Sequence, residues 1–403
     1  MTKQTKPAFY QLVAGIDVGN GYTKSIINNQ LSIVQSQAVK RYSIVNDEKL
    51  MPEQYTDFVN YIKDVMDCSF TSPLVKDTTR RLFGERALKS HQPIEQFDIR
   101  EGKADSDLYG CLLLSTLACH VIKLHYTQTQ AFPTQLSANI KLSTALPINE
   151  FKKKNREFRE RILNNGQAHL VTFHNFAQPI TVQLTIEKVH LASEGEAAQY
   201  GLVAAEDPLI QDVEKEIKAH YGNLYADYTG LDFLTAPNTL GIDIGEGTMD
   251  FAVFTNNKFE RELSQTVNQG YRTVLENTLD ELAETGATYR STKELAEALT
   301  HQPSKFERQR WNHMHEVNRK YTESLCDFIK DECSKVFSRV GTFINVVFVY
   351  GGGATALKEY LYPRLDRLSD SRGEYNKLPI VYLDNKYSQF LNTQGLYLLA
   401  SQL

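Results

Sequence analysis

The sequence predicts an α/β protein built from two duplicated halves, and three observations carry that expectation. A seven-residue, glycine-flanked Asp loop occurs twice, at 15–21 and 241–247. A continuous apolar run at 344–350 leads straight into Gly351-Gly352-Gly353, as suits a strand covered on both faces by helices. At 403 residues the chain exceeds what one hydrophobic core serves, so two or three core units are expected.

Taken in order, residues 13–18, 23–27 and 31–38 read as strands separated by Gly19-Asn20-Gly21 and by Asn28-Asn29, both turn formers. Residues 41–95 are polar and irregular and read as a small insert. The stretch 108–125 is apolar on nearly every side, which predicts a buried helix, followed by a strand at 136–145 that ends in Pro147. Residues 149–163 form a charged amphipathic helix whose Lys152-Lys153-Lys154 run is a solvated face. Strands follow at 169–173 and 180–190, then a helix from Glu194. The acidic stretch 207–238 reads as an exposed connection.

The second half repeats the opening with strands at 240–244 and 250–254 around a glycine turn. Helical patterns cover 274–284 and 305–338, an insert of about 275–335, before the strand at 344–350. The division expected from this reading is 1–235 and 236–403.

Charge and composition exclude several classes. The net charge of −5, from 44 basic and 49 acidic residues, offers no footprint for wrapping DNA or an anionic membrane. Neither the polar N-terminus nor any apolar run predicts a leader or a membrane span, so the cytoplasm is expected. Cys68, Cys111, Cys119, Cys326 and Cys333 contain no Cys-x-x-Cys pair, which argues against a disulfide framework or a zinc site. The ten histidines read as structural.

The chemistry lies in the repeated loop. Gly15-Ile16-Asp17-Val18-Gly19-Asn20-Gly21 and Gly241-Ile242-Asp243-Ile244-Gly245-Glu246-Gly247 match at five of seven positions. Each puts an Asp at the end of a buried strand and then a turn whose glycines permit positive φ and close backbone approach, so that successive N–H groups can meet phosphate oxygens. Two such loops would clamp a polyphosphate. Two carboxylates at a triphosphate need a cation between, which implies Mg²⁺. Lys24 either aims its ammonium back at the phosphates or stands on the surface; Thr248 and Asp250 extend the second loop in the same way. Gly351, Gly352, Gly353 and Ala354, after a strand, suit backbone lying flat against a purine and ribose.

Asp-x-Gly-Asn-Gly-x-x-Lys at 17–24, Gly-Ile-Asp-Ile-Gly-x-Gly-x-x-Asp at 241–250 and Gly-Gly-Gly-Ala at 351–354 resemble the phosphate-1, phosphate-2 and adenosine motifs of the actin superfamily. Four lesser motifs resemble the ParM-like bacterial actins that segregate plasmids: Leu82 to Ala87, Ser143 to Pro147, Ser193-Glu194-Gly195, and Phe390-Leu391-Asn392 with Gly395. The resemblance implies an actin-like (ribonuclease H-like) fold, duplicated α/β domains flanking a nucleotide cleft with small inserted subdomains. It also implies a cofactor, ATP with GTP as the alternative, together with Mg²⁺. Asp17 and Asp243 would hold the metal through water, and Glu194 would position the attacking water, unless it only complements its helix dipole. Gly19, Asn20, Gly21, Tyr22, Lys24, Gly245, Glu246, Gly247, Thr248 and Gly351 to Ala354 would contact the nucleotide. Glu246 and Met249 depart from the Gly and Thr of many relatives and bear on the rate of hydrolysis. Set beside the same relatives, the region 205–238 is an insert and a partner-specific surface.

The function so implied is a filament-forming ATPase that assembles with itself and moves plasmid or other DNA cargo through a DNA-binding adaptor of the ParR type, without touching nucleic acid or membrane itself. A metabolite kinase using the same loops is the alternative, although no sugar-site pattern stands out. A chaperone ATPase would need a peptide-binding domain, and a membrane-tethered scaffold an amphipathic anchor; neither is expected from the sequence.

Overall fold

The computed structural model describes residues 8–42, 50–51, 54–90, 92–98, 101–287, 289, 291–340, 344–370 and 377–403. The chain divides into two compact units, residues 1–201 with 390–403, and residues 202–389.

The described strands of the first unit are β1 (Ala8–Val18), β2 (Tyr22–Ile27), β3 (Gln30–Gln35), β4 (Ala38–Lys40), β5 (Asp67–Thr71), β6 (Arg81–Phe83), β7 (Ile94–Glu95), β8 (Gln135–Leu146), β9 (His169–Phe173) and β10 (Ile180–Ser193). They form one sheet in the order β3-β2-β1-β8-β10-β9-β5-β6-β4-β7. The second unit carries β11 (Thr239–Ile244), β12 (Met249–Thr255), β13 (Lys258–Phe259), β14 (Gln265–Val267), β15 (Val346–Tyr350) and β16 (Ile380–Tyr382). Its order is β13-β12-β11-β15-β16, with β14 also on β12.

The duplication is topological as well as sequential. β1 pairs antiparallel with β2 and parallel with β8, which is parallel to β10; β11 pairs antiparallel with β12 and parallel with β15, which is parallel to β16. Helices Asp107–Thr129 and Ile148–Leu163 make the crossovers of the first sheet, and Arg308–Arg339 and Ala354–Asp370 those of the second. Parallel neighbours need such crossovers, and the helices they bring explain why β15 is apolar throughout and β11 is so apart from Thr239 and Asp243. Asp107–Thr129 is long and apolar enough to cross a bilayer, but most of it is buried inside the first unit.

The compact units differ from the sequence-based division in two places. The 205–238 stretch is folded: in helix Asp207–Tyr221 the side chains of Leu209, Val213, Ile217 and Tyr221 recur every fourth residue and are buried in the second unit. Residues 390–403 return to the first unit, where helix Leu391–Ser401 packs on β1. The strand expected over 31–38 is split, because the chain leaves the β2 edge after Gln35 and β4 pairs instead with β6 and β7. Within the 41–95 insert, β5 to β7 join β4 in extending the first sheet; the insert calls at 43–49, 52–53 and 91 lie outside the described residues. Helices Tyr271–Glu284, Thr292–Thr300 and the start of Arg308–Arg339 enclose a small core of Leu275, Leu282, Leu295, Met314 and Val317.

Candidate nucleotide-binding loops

The first loop joins β1 to β2. The Gly19 N–H donates to the Tyr22 carbonyl (3.1 Å), and a Cβ on Gly19 would lie 2.7 Å from that same oxygen. Gly19 is therefore required by close approach, not by positive φ; among 19–21 no residue has φ > 0, which corrects the turn geometry expected from Asn20-Gly21. Asp17 is mostly buried, and its carboxylate accepts no hydrogen bond from any described residue. Lys24 sits directly opposite Asp17 across the hairpin, so both side chains share one face of the sheet. Tyr22 is about half exposed at the turn.

The second loop repeats this construction. The Gly245 N–H donates to the Thr248 carbonyl (2.9 Å), and Asp243 faces Asp250 in the register that pairs Asp17 with Lys24. The duplicated position thus carries a cation in one half and a carboxylate in the other. Asp250 is buried and accepts a hydrogen bond from Thr266 Oγ1 at 2.5 Å. The loop rests on the start of helix Tyr271–Glu284, whose Tyr271 and Arg272 N–H groups donate to the Gly245 and Glu246 carbonyls at 3.2 and 2.9 Å. The Glu246 side chain does not stand alone beside the loop: Arg272 holds Oε1 through Nη2 (2.7 Å) and Nε (3.1 Å). Met249 is fully buried at the start of β12.

Gly351 to Ala354 lie against this second loop. Gly351 has φ +95°, and a Cβ there would fall 2.3 Å from Asp243 Oδ1 and 2.5 Å from the Ile244 carbonyl. Gly353 donates its N–H to the Ile244 carbonyl (2.8 Å), while the surroundings of Gly352 are open. Positive φ does occur in this turn, at the position where backbone must also press on a carboxylate. Beneath it, Tyr350 fills the space left by Gly241, whose added Cβ would be 2.5 Å from the phenol oxygen. Burial, then Asp243 and Asp250, push that phenol well above the ordinary tyrosine value and keep it protonated.

Glu194 opens helix Glu194–Val203 and is mostly buried. Sequence reasoning missed its partner: Lys103 Nζ lies 2.6 Å from Glu194 Oε1, with both side chains less than a tenth exposed. Burial works against the ammonium, but Glu194, then Asp17 and Glu150, outweigh it and raise its pKa above the usual lysine value. Lys103 falls in the insert-like polar stretch before the first buried helix, where no period or motif marks it. A lone glycine beside it, Gly102 at φ +82°, is the only local signal.

These residues fit a polyphosphate and a hard cation. In the first unit Asp17 offers a buried carboxylate with no hydrogen-bond donor among the described residues and Gly19 leaves no room for a side chain; in the second, Gly245, Gly351 and Gly353 leave none, and in each the acidic groups supply oxygen rather than nitrogen or sulfur ligands. No group of three or more His, Cys, Asp or Glu poised as a ready-made metal cage occurs among the described residues. A cation that keeps its waters needs none.

A family profile described as "Actin like proteins N terminal domain" matches residues 15–196, and one described as "Archaeal actin homologue MreB-like, C-terminal" matches 241–362. No curated protein matches the chain. Among solved structures, the archaeal actin homologue Ta0583 is similar at 14% identity and TM-score 0.62, over 97% of this chain and 100% of that one. A ParM from a 15-stranded filament of Clostridium botulinum is similar at 17% identity and TM-score 0.60, covering 98% and 100%. Bacillus thuringiensis ParM with ATP is similar at 12% identity and TM-score 0.56, covering 97% and 98%. Identities this low speak for the fold, and the two profiles fall on the two duplicated halves: the chain is a member of the actin superfamily, with the actin-like fold shared by the ParM-like bacterial actins.

Proposed function

We propose that the protein is a nucleotide-driven, filament-forming ATPase that moves plasmid or other DNA cargo through a DNA-binding adaptor. The observation that carries this reading is the doubled loop, closed in each half by the same Gly N–H bond to the carbonyl three residues on and headed by Asp17 or Asp243. In this reading Gly19, Asn20, Gly21, Tyr22 and Lys24, with Gly245, Glu246, Gly247 and Thr248, bind the phosphates, and Gly351 to Ala354 bind the nucleoside. Asp17 and Asp243 would hold Mg²⁺, and such a metal would supply charge neutralisation at the phosphates. Glu194 orients the water and takes its proton.

The neighbours described as ParM with ATP and as a 15-stranded ParM filament support nucleotide use and head-to-tail assembly. With a net charge of −5 the chain reaches DNA through an adaptor of the ParR type, and it works in the cytoplasm.

The test is sedimentation with Mg-ATP, Mg-GTP, Mg-ADP and no nucleotide, comparing the wild type with Asp243→Ala. We expect a triphosphate-dependent pellet that the variant keeps for longer. Equal pellets under all conditions would refute the reading. Acceptor-dependent ATP consumption without a pellet would favour a metabolite kinase.

A further inference from the structure

We propose that Lys103 is a positioning residue for Glu194: it fixes one carboxylate oxygen and leaves the other to hold the attacking water. The inference rests on the proposed nucleotide hydrolysis and deepens it.

The aim of Lys103 is built in by its own backbone. The N–H groups of Lys103 and Ala104 donate to the two oxygens of Glu150, at 2.9 and 2.8 Å. Gly102, at φ +82°, packs so tightly on that carboxyl that an added Cβ would lie 2.9 Å from its Cδ. Glu150 stands in the first turn of helix Ile148–Leu163, which follows β8 directly. The segment 102–104 is thereby clamped to the central sheet, and the Lys103 side chain runs inward to end 2.6 Å from Glu194 Oε1. No second hydrogen-bonded partner holds the other oxygen of Glu194 among the described residues.

The arrangement suits a job that a structural ion pair would not require. A buried pair is generally no more stabilising than apolar residues of the same size, so stability alone is a weak reason for it. Here the ammonium also feels Asp17, the carboxylate assigned to the metal. One cation, its backbone clamped to Glu150 and its ammonium on Glu194, thus sits where it also feels Asp17. It also removes the rotational freedom of Glu194, and water oriented by a held carboxylate reacts faster than water beside a mobile one.

The experiment compares the wild type, Lys103→Met, Glu194→Gln and the double variant in two readouts: ATP turnover, and the dissociation constant of a fluorescent ATP analogue. Expected is a loss of turnover of about 100-fold in each single variant and no further loss in the double, with analogue affinity changed less than about threefold in all. Turnover in Lys103→Met within about threefold of wild type would overturn the proposal, as would losses that multiply in the double variant or affinity that falls in step with turnover. If Lys103→Met does not fold, Lys103→Arg carries the test: it keeps the charge but moves it, so reduced turnover at wild-type affinity is expected and full turnover overturns the inference. A wild type that neither binds the analogue nor hydrolyses ATP would instead sink the nucleotide reading itself.

Discussion

At Gly351, two demands meet on one residue: a left-handed backbone and contact with Asp243 Oδ1 at a distance no Cβ tolerates. Its neighbour Gly352 has neither, being surrounded by open space. Gly351→Ala should therefore cost on the order of 1–3 kcal/mol in a urea melt, and Gly352→Ala no more than about 0.5 kcal/mol. Glu246 invites the opposite kind of forecast. Its partner Arg272 is well covered, but Glu246 itself is 40% exposed, so the pair is screened by water. Glu246→Ala should shift stability by less than about 1 kcal/mol, and any change in nucleotide turnover then reports the loss of Glu246 from the loop and the freeing of Arg272 rather than a damaged fold.

At the scale of elements, the two hairpin turns that follow β2 and β12 show what a sequence does and does not reveal. Asn28-Asn29 and Asn256-Asn257 all have positive φ between 47° and 63°, the geometry of a type I′ turn, so the duplication extends past the Asp loops to the next corner of each half. Asn-Asn signals that geometry from its side chains alone. The Asp loops were legible because an Asp at a strand end followed by spaced glycines is a local pattern. The Lys103 to Glu194 pair was not, since a contact between residues 91 positions apart leaves no period or motif, and a glycine beside Lys103 does not name its partner. Gly395 lies between these cases. It was noticed as part of a motif, and the structure gives its reason: helix Leu391–Ser401 crosses helix Glu194–Val203 so closely that a Cβ on Gly395 would be 1.9 Å from the Ala197 carbonyl. The matching contact, Gly201 on the Leu391 carbonyl, is similarly tight. Gly395→Ala must push the helices apart, and a loss of about 2 kcal/mol or more in thermal or urea unfolding is expected. The 205–238 stretch was misread for a related reason: acidic composition hid a buried stripe whose period is visible only once the helix is assumed.

At the scale of the whole molecule, acid stability turns on buried groups. His120, on the helix Asp107–Thr129, is held down to about 4 by burial and then by Lys123. Its folded value lies below the unfolded one, so between about pH 6.5 and pH 4 the unfolded chain takes up a proton that the folded chain refuses. Stability should fall as the pH drops through that window, by at most about 3 kcal/mol from this residue, and a His120→Gln variant should show a flatter profile in urea titrations at each pH. His169, also lowered by burial, acts in the same direction and would leave part of the slope in place.

The return of residues 390–403 to the first unit has a consequence for the order in which the chain can be made. β1 leaves the ribosome some 380 residues before Tyr397, yet Gly15 on that strand is shaped to receive the backbone of Tyr397. The first unit thus waits, with one face of its sheet uncovered, while all of the second is translated. Residues 202–389 form in effect a long loop closed by the first unit, and the last helix is the latch that closes it. Nascent chains halted before residue 390 should be cut by protease within the first unit, and chains that include residues 390–403 should resist.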